Sequence, residues 1–122
     1  MTEAADAPVI DVRALDRLRK WGGEGLPTRM VEIFLDHSSD RLEQIRDGVA
    51  RQDHRRAELG AHSLKSSAGN VGASRLQALC QGAETMAEAE DMSALAGLLP
   101  ELDRAYSTAR KELEKILEGM RR

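Results

Sequence analysis

The chain has 122 residues, 41% hydrophobic and 32% charged, with a formal charge of −3. That length suits one domain, and that charge argues against nucleic acid as a partner, because phosphate binding needs a concentrated basic face. No apolar run approaches the roughly 18 residues of a membrane span, and the acidic start, Met-Thr-Glu-Ala-Ala-Asp-Ala-Pro, lacks the basic and apolar regions of a signal peptide.

The single cysteine, Cys80, has no partner for an internal disulfide, so a cytoplasmic location is expected. Aromatic residues are confined to Trp21, Phe34 and Tyr106. The core must therefore be aliphatic, and a sequence rich in Leu, Ala, Glu and Arg favours helices over sheets.

Residues 1–9 are small and polar with one proline and are expected to form a disordered tail; residues 10–120 are expected to form a single domain. A first helix is expected from Asp11, whose carboxylate can cap exposed N–H groups, with Ile10 and Leu15 placed as a hydrophobic staple. Leu15 and Leu18 then face inward. Gly22, Gly23 and Gly25 end the helix and turn the chain. Trp21, at that corner, is expected to cover one end of the core.

A second helix is expected to open near Pro27, a good residue for a first turn, and to end near Ala50. Its apolar positions are Met30, Ile33, Phe34, Leu42, Ile45 and Val49, with a polar interruption over residues 37–41. A third helix is expected over residues 53–70, capped by Asp53 and ended by Gly72. Ser74 and Gln77 form a capping-box pattern for a fourth helix. That helix aligns Leu76, Leu79, Cys80, Ala83, Met86 and Ala87 and ends near residues 90–92.

The last helix has the strongest period: Leu95, Leu98, Leu102, Tyr106, Ala109, Leu113, Ile116 and Met120 recur at steps of three and four. Pro100 is expected to break or kink its start. No segment alternates with period two. The fold class expected is all-α: an antiparallel up-down four-helix bundle, with the short first helix capping one end.

Chemistry concentrates in the third helix, in the run Ala-His62-Ser-Leu-Lys65-Ser-Ser-Ala-Gly69-Asn-Val-Gly72-Ala73. Each helical residue turns about 100°. With His62 at zero, the stripe Ala57, Ala61, Leu64, Ala68, Val71 centres almost opposite it, so His62 is expected at the middle of the solvent-facing side. Lys65 and Ser66 flank it one turn later, and Glu58 one turn earlier. Gly69 lies in line two turns later, and Arg55 two turns earlier. An imidazole with an ordinary pKa near 6.5 offers a neutral ring nitrogen as nucleophile. Lys65 is placed to offset the charge of a phosphoryl group there, with Arg55 in reach to help. A glycine inside a helix costs about 1 kcal/mol relative to alanine, so Gly69 needs a reason; a gap for an approaching partner is one. No Gly-rich phosphate loop accompanies the histidine, so autonomous phosphorylation from ATP is not expected.

This run, followed by Leu76, Leu79-Cys80 and Glu84, resembles the histidine-containing phosphotransfer (HPt) domain of bacterial phosphorelays. The motif covers residues 61–84, and the helix pattern fits over about residues 10–118. The resemblance implies a four-helix bundle with an extra short helix. It implies that His62 is phosphorylated, through the ring nitrogen farther from the backbone. Lys65 would stabilise the phosphoryl group, and Gly69 would leave room for a docking receiver domain. Ser66 stands where many members carry glycine. The partners implied are receiver domains of response regulators or hybrid histidine kinases, which would supply an aspartate and a Mg2+ ion. The chain itself would bind no cofactor and no metal.

Other residues carry blander expectations. His37 and His54 are expected at the surface, and three dispersed histidines without a thiol or carboxylate pattern do not make a zinc site. Cys80 is expected to pack as a small hydrophobe. The stripe of the last helix is read as core, and the chain as a monomer. The receiver-docking area is expected on the second helix near residues 37–41. A rival reading is a helical adaptor that binds through the same face without chemistry. A metal- or cofactor-binding bundle would need inward-facing ligands, and His62 points outward.

Overall fold

The computed structural model describes residues 6–122, which form five helices: α1 (Val12–Gly22), α2 (Gly25–Ala50), α3 (His54–Asn70), α4 (Ser74–Glu88) and α5 (Met92–Met120). Helices α2 to α5 make the all-α four-helix bundle that the periodicity predicts, and α1 lies against α2 and α3 at one end. Each bundle helix packs on the next and α5 returns to α2, as short connections between antiparallel neighbours require. Every connection within the bundle turns on one left-handed residue: Gln52 at φ 56°, Gly72 at φ 76° and Glu90 at φ 59°.

The caps are mostly those expected. Asp11 accepts from Arg13 N and Asp53 from Arg56 N, each at 3.1 Å, and Asp91 caps α5 through Ala94 N. The capping box at Ser74 does not form. Ala73 is the N-cap, Ser74 Oγ donates to Gly72 O at 3.2 Å, and the Gln77 side chain lies over Gly69 instead. Helix α2 starts two residues before Pro27, which costs nothing, because the first N–H groups of a helix have no internal partner.

Two expectations fail for physical reasons. Helix α5 runs without a break through Pro100. Leu95 and Leu102 on either side are fully buried, while Pro100 and Ala96, whose carbonyl the proline leaves free, are exposed to water. Trp21 does not cover the core; it is 86% exposed. It continues the Ala14–Leu18 stripe of α1, but what it meets there is a shallow groove at Gly69 and Asn70.

The core is aliphatic, with Leu64, Leu76, Leu95, Leu102 and Leu113 at 0–1% exposure. Among the described residues its one buried polar or charged residue is Ser38, which shares a 2.9 Å hydrogen bond with the Tyr106 hydroxyl, to which Arg110 also donates. Small residues bring α2 and α3 together: a Cβ on Gly48 would stand 2.6 Å from Ala57 N. The tail expected over residues 1–9 lies partly outside the described residues. Over residues 7–9 the chain is held, with Pro8 O accepting from Arg75 N and Ala7 O from Arg75 Nε.

Cys80 is buried as expected, and burial pushes its thiol up to about 12. At a given pH it carries about a thousandfold less thiolate than an ordinary cysteine. A disulfide reagent added to the native protein at pH 8 should therefore leave Cys80 unmodified for hours and titrate one thiol at once in denaturant. Rapid reaction in the native state would mean that α4 opens far more often than its packing implies.

Candidate functional site

The α3 stripe predicted to face inward does so: Ala57, Ala61, Leu64 and Ala68 are at 0% exposure and Val71 at 1%. Asp53 caps the start of α3, and His54 Nε2 lies 3.3 Å from Glu90 across the bundle end. With the opposite face fixed, the His62 side chain projects outward, 60% exposed. His37 is exposed on α2 and stands apart from it.

The neighbour that organises His62 comes from α4. Glu84 Oε2 lies 2.6 Å from His62 Nδ1, and Lys65 Nζ donates to Glu84 Oε1 at 2.5 Å and to Gln81 Oε1 at 3.1 Å. Glu84 is largely covered, with 15% of its side chain exposed. The Lys65 ammonium, and after it the His62 ring, hold its carboxyl below the usual range against burial, which pushes it up. Glu84 is therefore ionised at neutral pH and can only accept. His62 Nδ1 must donate to it, which leaves the lone pair on Nε2, the outer nitrogen. The cluster can present a neutral, oriented imidazole nucleophile with an anion behind it and a cation beside it.

Arg55 is exposed two turns before His62 and lies outside this cluster. Gly69 lies in line with His62, but its missing side chain is partly compensated: a Cβ there would stand 2.6 Å from Gln77 Nε2, the mobile end of an exposed side chain. Helical projection of α3 alone could not find Glu84, since it says nothing of what α4 brings alongside. The available signal was a carboxylate bordering the apolar Cys80–Ala83 stripe of α4, a place where an acid needs a partner.

Two grooves border this face. One, about 260 Å³, runs between α2 and α3 and is lined by Ile33, His37, Arg41, Ser67 and Asn70. The other, about 160 Å³, runs between α1 and the end of α3, lined by Arg17, Leu18, Trp21, Gly69 and Asn70. Among the described residues no cluster of three His, Cys, Asp or Glu side chains is placed to hold a metal ion, and no helix is long and apolar enough to cross a membrane.

A family model described as the Hpt domain matches residues 29–121. Histidine-containing phosphotransfer protein 5 of Arabidopsis thaliana is 25% identical over 105 residues, covering 81% of this chain and 67% of the relative. The crystal structure of histidine-containing phosphotransfer protein B (HptB) from Pseudomonas aeruginosa PAO1 superposes with a TM-score of 0.83 at 23% identity, over 92% of this chain and 96% of the other. At that identity the superposition speaks for the fold.

Proposed function

As the chain belongs to the Hpt-domain family, and so is a phosphorelay carrier of two-component signalling, we propose that His62 is its phosphoryl-carrying residue. The observation that carries this reading is the Glu84–His62 pair, which directs the nucleophilic nitrogen outward. Nε2 attacks the phosphorus of a receiver's aspartyl phosphate. The N–P bond forms as the P–O bond breaks, and the aspartate leaves as a carboxylate. The ring keeps its Nδ1 proton throughout, so positive charge develops on the imidazole and Glu84 balances it. Run backwards, the same step delivers the phosphoryl group to a second receiver.

Lys65 is proposed to turn from Glu84 toward the phosphoryl oxygens once they arrive, which its flexible stem allows. Gly69 is proposed to let the receiver approach, with Gln77 swinging aside. The Mg2+ ion belongs, in this reading, to the receiver, where it would offset phosphoryl charge. The chain is proposed to be a cytoplasmic monomer, without kinase activity of its own.

The test is to mix the protein with phosphorylated receiver domains and Mg2+ and to look for acid-labile phosphate on this chain. Its appearance supports the reading. Receivers that bind without transferring phosphate would make the chain an adaptor.

Glu84→Gln separates the carboxylate's charge from its shape. The amide can still accept from Nδ1, but a charge-assisted hydrogen bond exceeds a neutral one by about 1 kcal/mol, so transfer should slow roughly fivefold to tenfold. The same variant should alter acid stability. Because Glu84 is held below its ordinary 4.5 in the folded state, its contribution is fully present above pH 4.5 and fades as pH falls through the depressed value. Urea midpoints of wild type should fall more steeply than those of Glu84→Gln below pH 4.5. Parallel curves would mean that the carboxylate is not held in solution as it is here.

A further inference from the structure

Four large apolar side chains are exposed among the described residues: Val12, Trp21, Ile33 and Leu59. Three of them border the outer face of α3. Leu59 lies one turn before His62, Ile33 lines the α2 groove beside Asn70, and Trp21 lines the α1 groove beside Gly69 and Asn70. Gly69 follows His62 by seven residues, about 10.5 Å along the same side of the helix. Trp21 thus stands at the end of the line that runs from the nucleophile through the glycine. An exposed tryptophan forgoes the burial of its large ring, and tryptophan is among the residues that dominate binding once a partner covers it.

We propose that Trp21 is the anchor by which a receiver domain docks on this chain, seated in an apolar pocket of the receiver while the aspartyl phosphate meets His62. The proposal rests on the carrier reading above and adds the docking residue and its place. Two observations select a receiver as the occupant. The grooves are continuous with the His62 face through Gly69 and Asn70, so a body reaching His62 along Gly69 arrives at Trp21. The charge is also complementary. Acidic residues outnumber Lys and Arg 21 to 18 in the whole chain, yet no carboxylate lines either groove, and Arg17 and Arg41 do. A phosphorylated aspartate site presents negative charge to such a rim. The docking area therefore extends onto α1, beyond the α2 stretch at residues 37–41.

Trp21 is the only tryptophan in the sequence, so 5-fluorotryptophan labelling gives one 19F resonance. Titrating in the unlabelled receiver found to phosphorylate this chain should shift or broaden that resonance in step with binding. Trp21→Ala should raise the receiver concentration for half-maximal transfer tenfold or more and change the maximal rate far less. Trp21→Phe should recover part of the loss. Since Trp21 makes little contact with the core, the melting temperature of Trp21→Ala should stay within about 2 °C of wild type. An unmoved resonance at saturation, an unchanged half-maximal concentration, or a loss confined to the maximal rate would overturn the proposal. So would a 19F shift that tracks the chain's own concentration without receiver, which would make a second copy the occupant. Wild type that takes phosphate from phosphoramidate but from no receiver would defeat the carrier reading itself, and the docking proposal with it.

Discussion

His62→Gln is expected to abolish phosphorylation by any receiver, with no labelled band above background where wild type labels within minutes. Glutamine is close to histidine in reach and polarity, so the substitution removes little besides the nucleophile. Its amide nitrogen has a delocalised lone pair and cannot take a phosphoryl group. The fold should be indifferent, because the side chain is 60% exposed and its bonded partner, Glu84, keeps Lys65. A melting temperature within a few degrees of wild type would therefore accompany complete loss of transfer. The other two histidines are poor substitutes. His54 faces Glu90 at the bundle end, and His37 is exposed on α2 without a lysine and carboxylate arranged around it. Transfer that persists in His62→Gln would mean that the nucleophile lies elsewhere, and His37→Gln and His54→Gln would then have to be compared.

The fold was legible because its helices bury one face each. The α3 projection placed five stripe residues inside and His62 outside from spacing alone, and the structure agrees at every one. What spacing could not reach is what happens between elements. Glu84 belongs to the run that carries the family resemblance, but spacing alone gives it no role among the acids of α4. It becomes the orienting group of His62 only because α3 and α4 pack so that residues 22 apart in sequence touch. Trp21 failed in the opposite direction. Its place at the glycine-rich corner after α1 made it look like a cover for the end of the core, but whether a corner residue is covered depends on what stands beside it, and the groove that Trp21 lines is floored by a glycine. Pro100 failed because propensity prices the lost hydrogen bond and not the burial of Leu95 and Leu102 on both sides of it. Ser74 failed because Ala73 takes the N-cap position, which puts the serine inside the first turn, where its hydroxyl donates back to the turn carbonyl of Gly72.

Gly72→Ala is expected to be the most damaging single-methyl change in the chain, at about 3 kcal/mol and a fall in melting temperature of roughly 10 °C. Two costs combine. Gly72 sits at φ 76°, where a side chain costs roughly 1–2 kcal/mol. Its Cβ would also collide with the Asp11 carbonyl oxygen and press on Ala14 Cβ at 3.0 Å, an overpacking of roughly 1–3 kcal/mol against backbone that has little room to yield. The collision falls on the hydrogen bond that ties α1 down, Asp11 N to Gly72 O at 2.7 Å. Damage should therefore not be uniform. In native-state hydrogen exchange the α1 amides should lose protection first, while α3 and α4, held by Leu64 and Leu76 in the core, keep theirs. A urea midpoint unchanged within experimental error would show that the turn absorbs the methyl group by a route the packing does not reveal. If α1 does loosen, the same variant separates the two halves of the functional reading. The Glu84–His62–Lys65 cluster belongs to α3 and α4 and should survive in the folded fraction. Trp21 belongs to α1 and should not stay in place. Receiver-dependent transfer should then fail at low receiver concentration and recover at high, as it should for Trp21→Ala, through a residue some 50 positions away in the sequence.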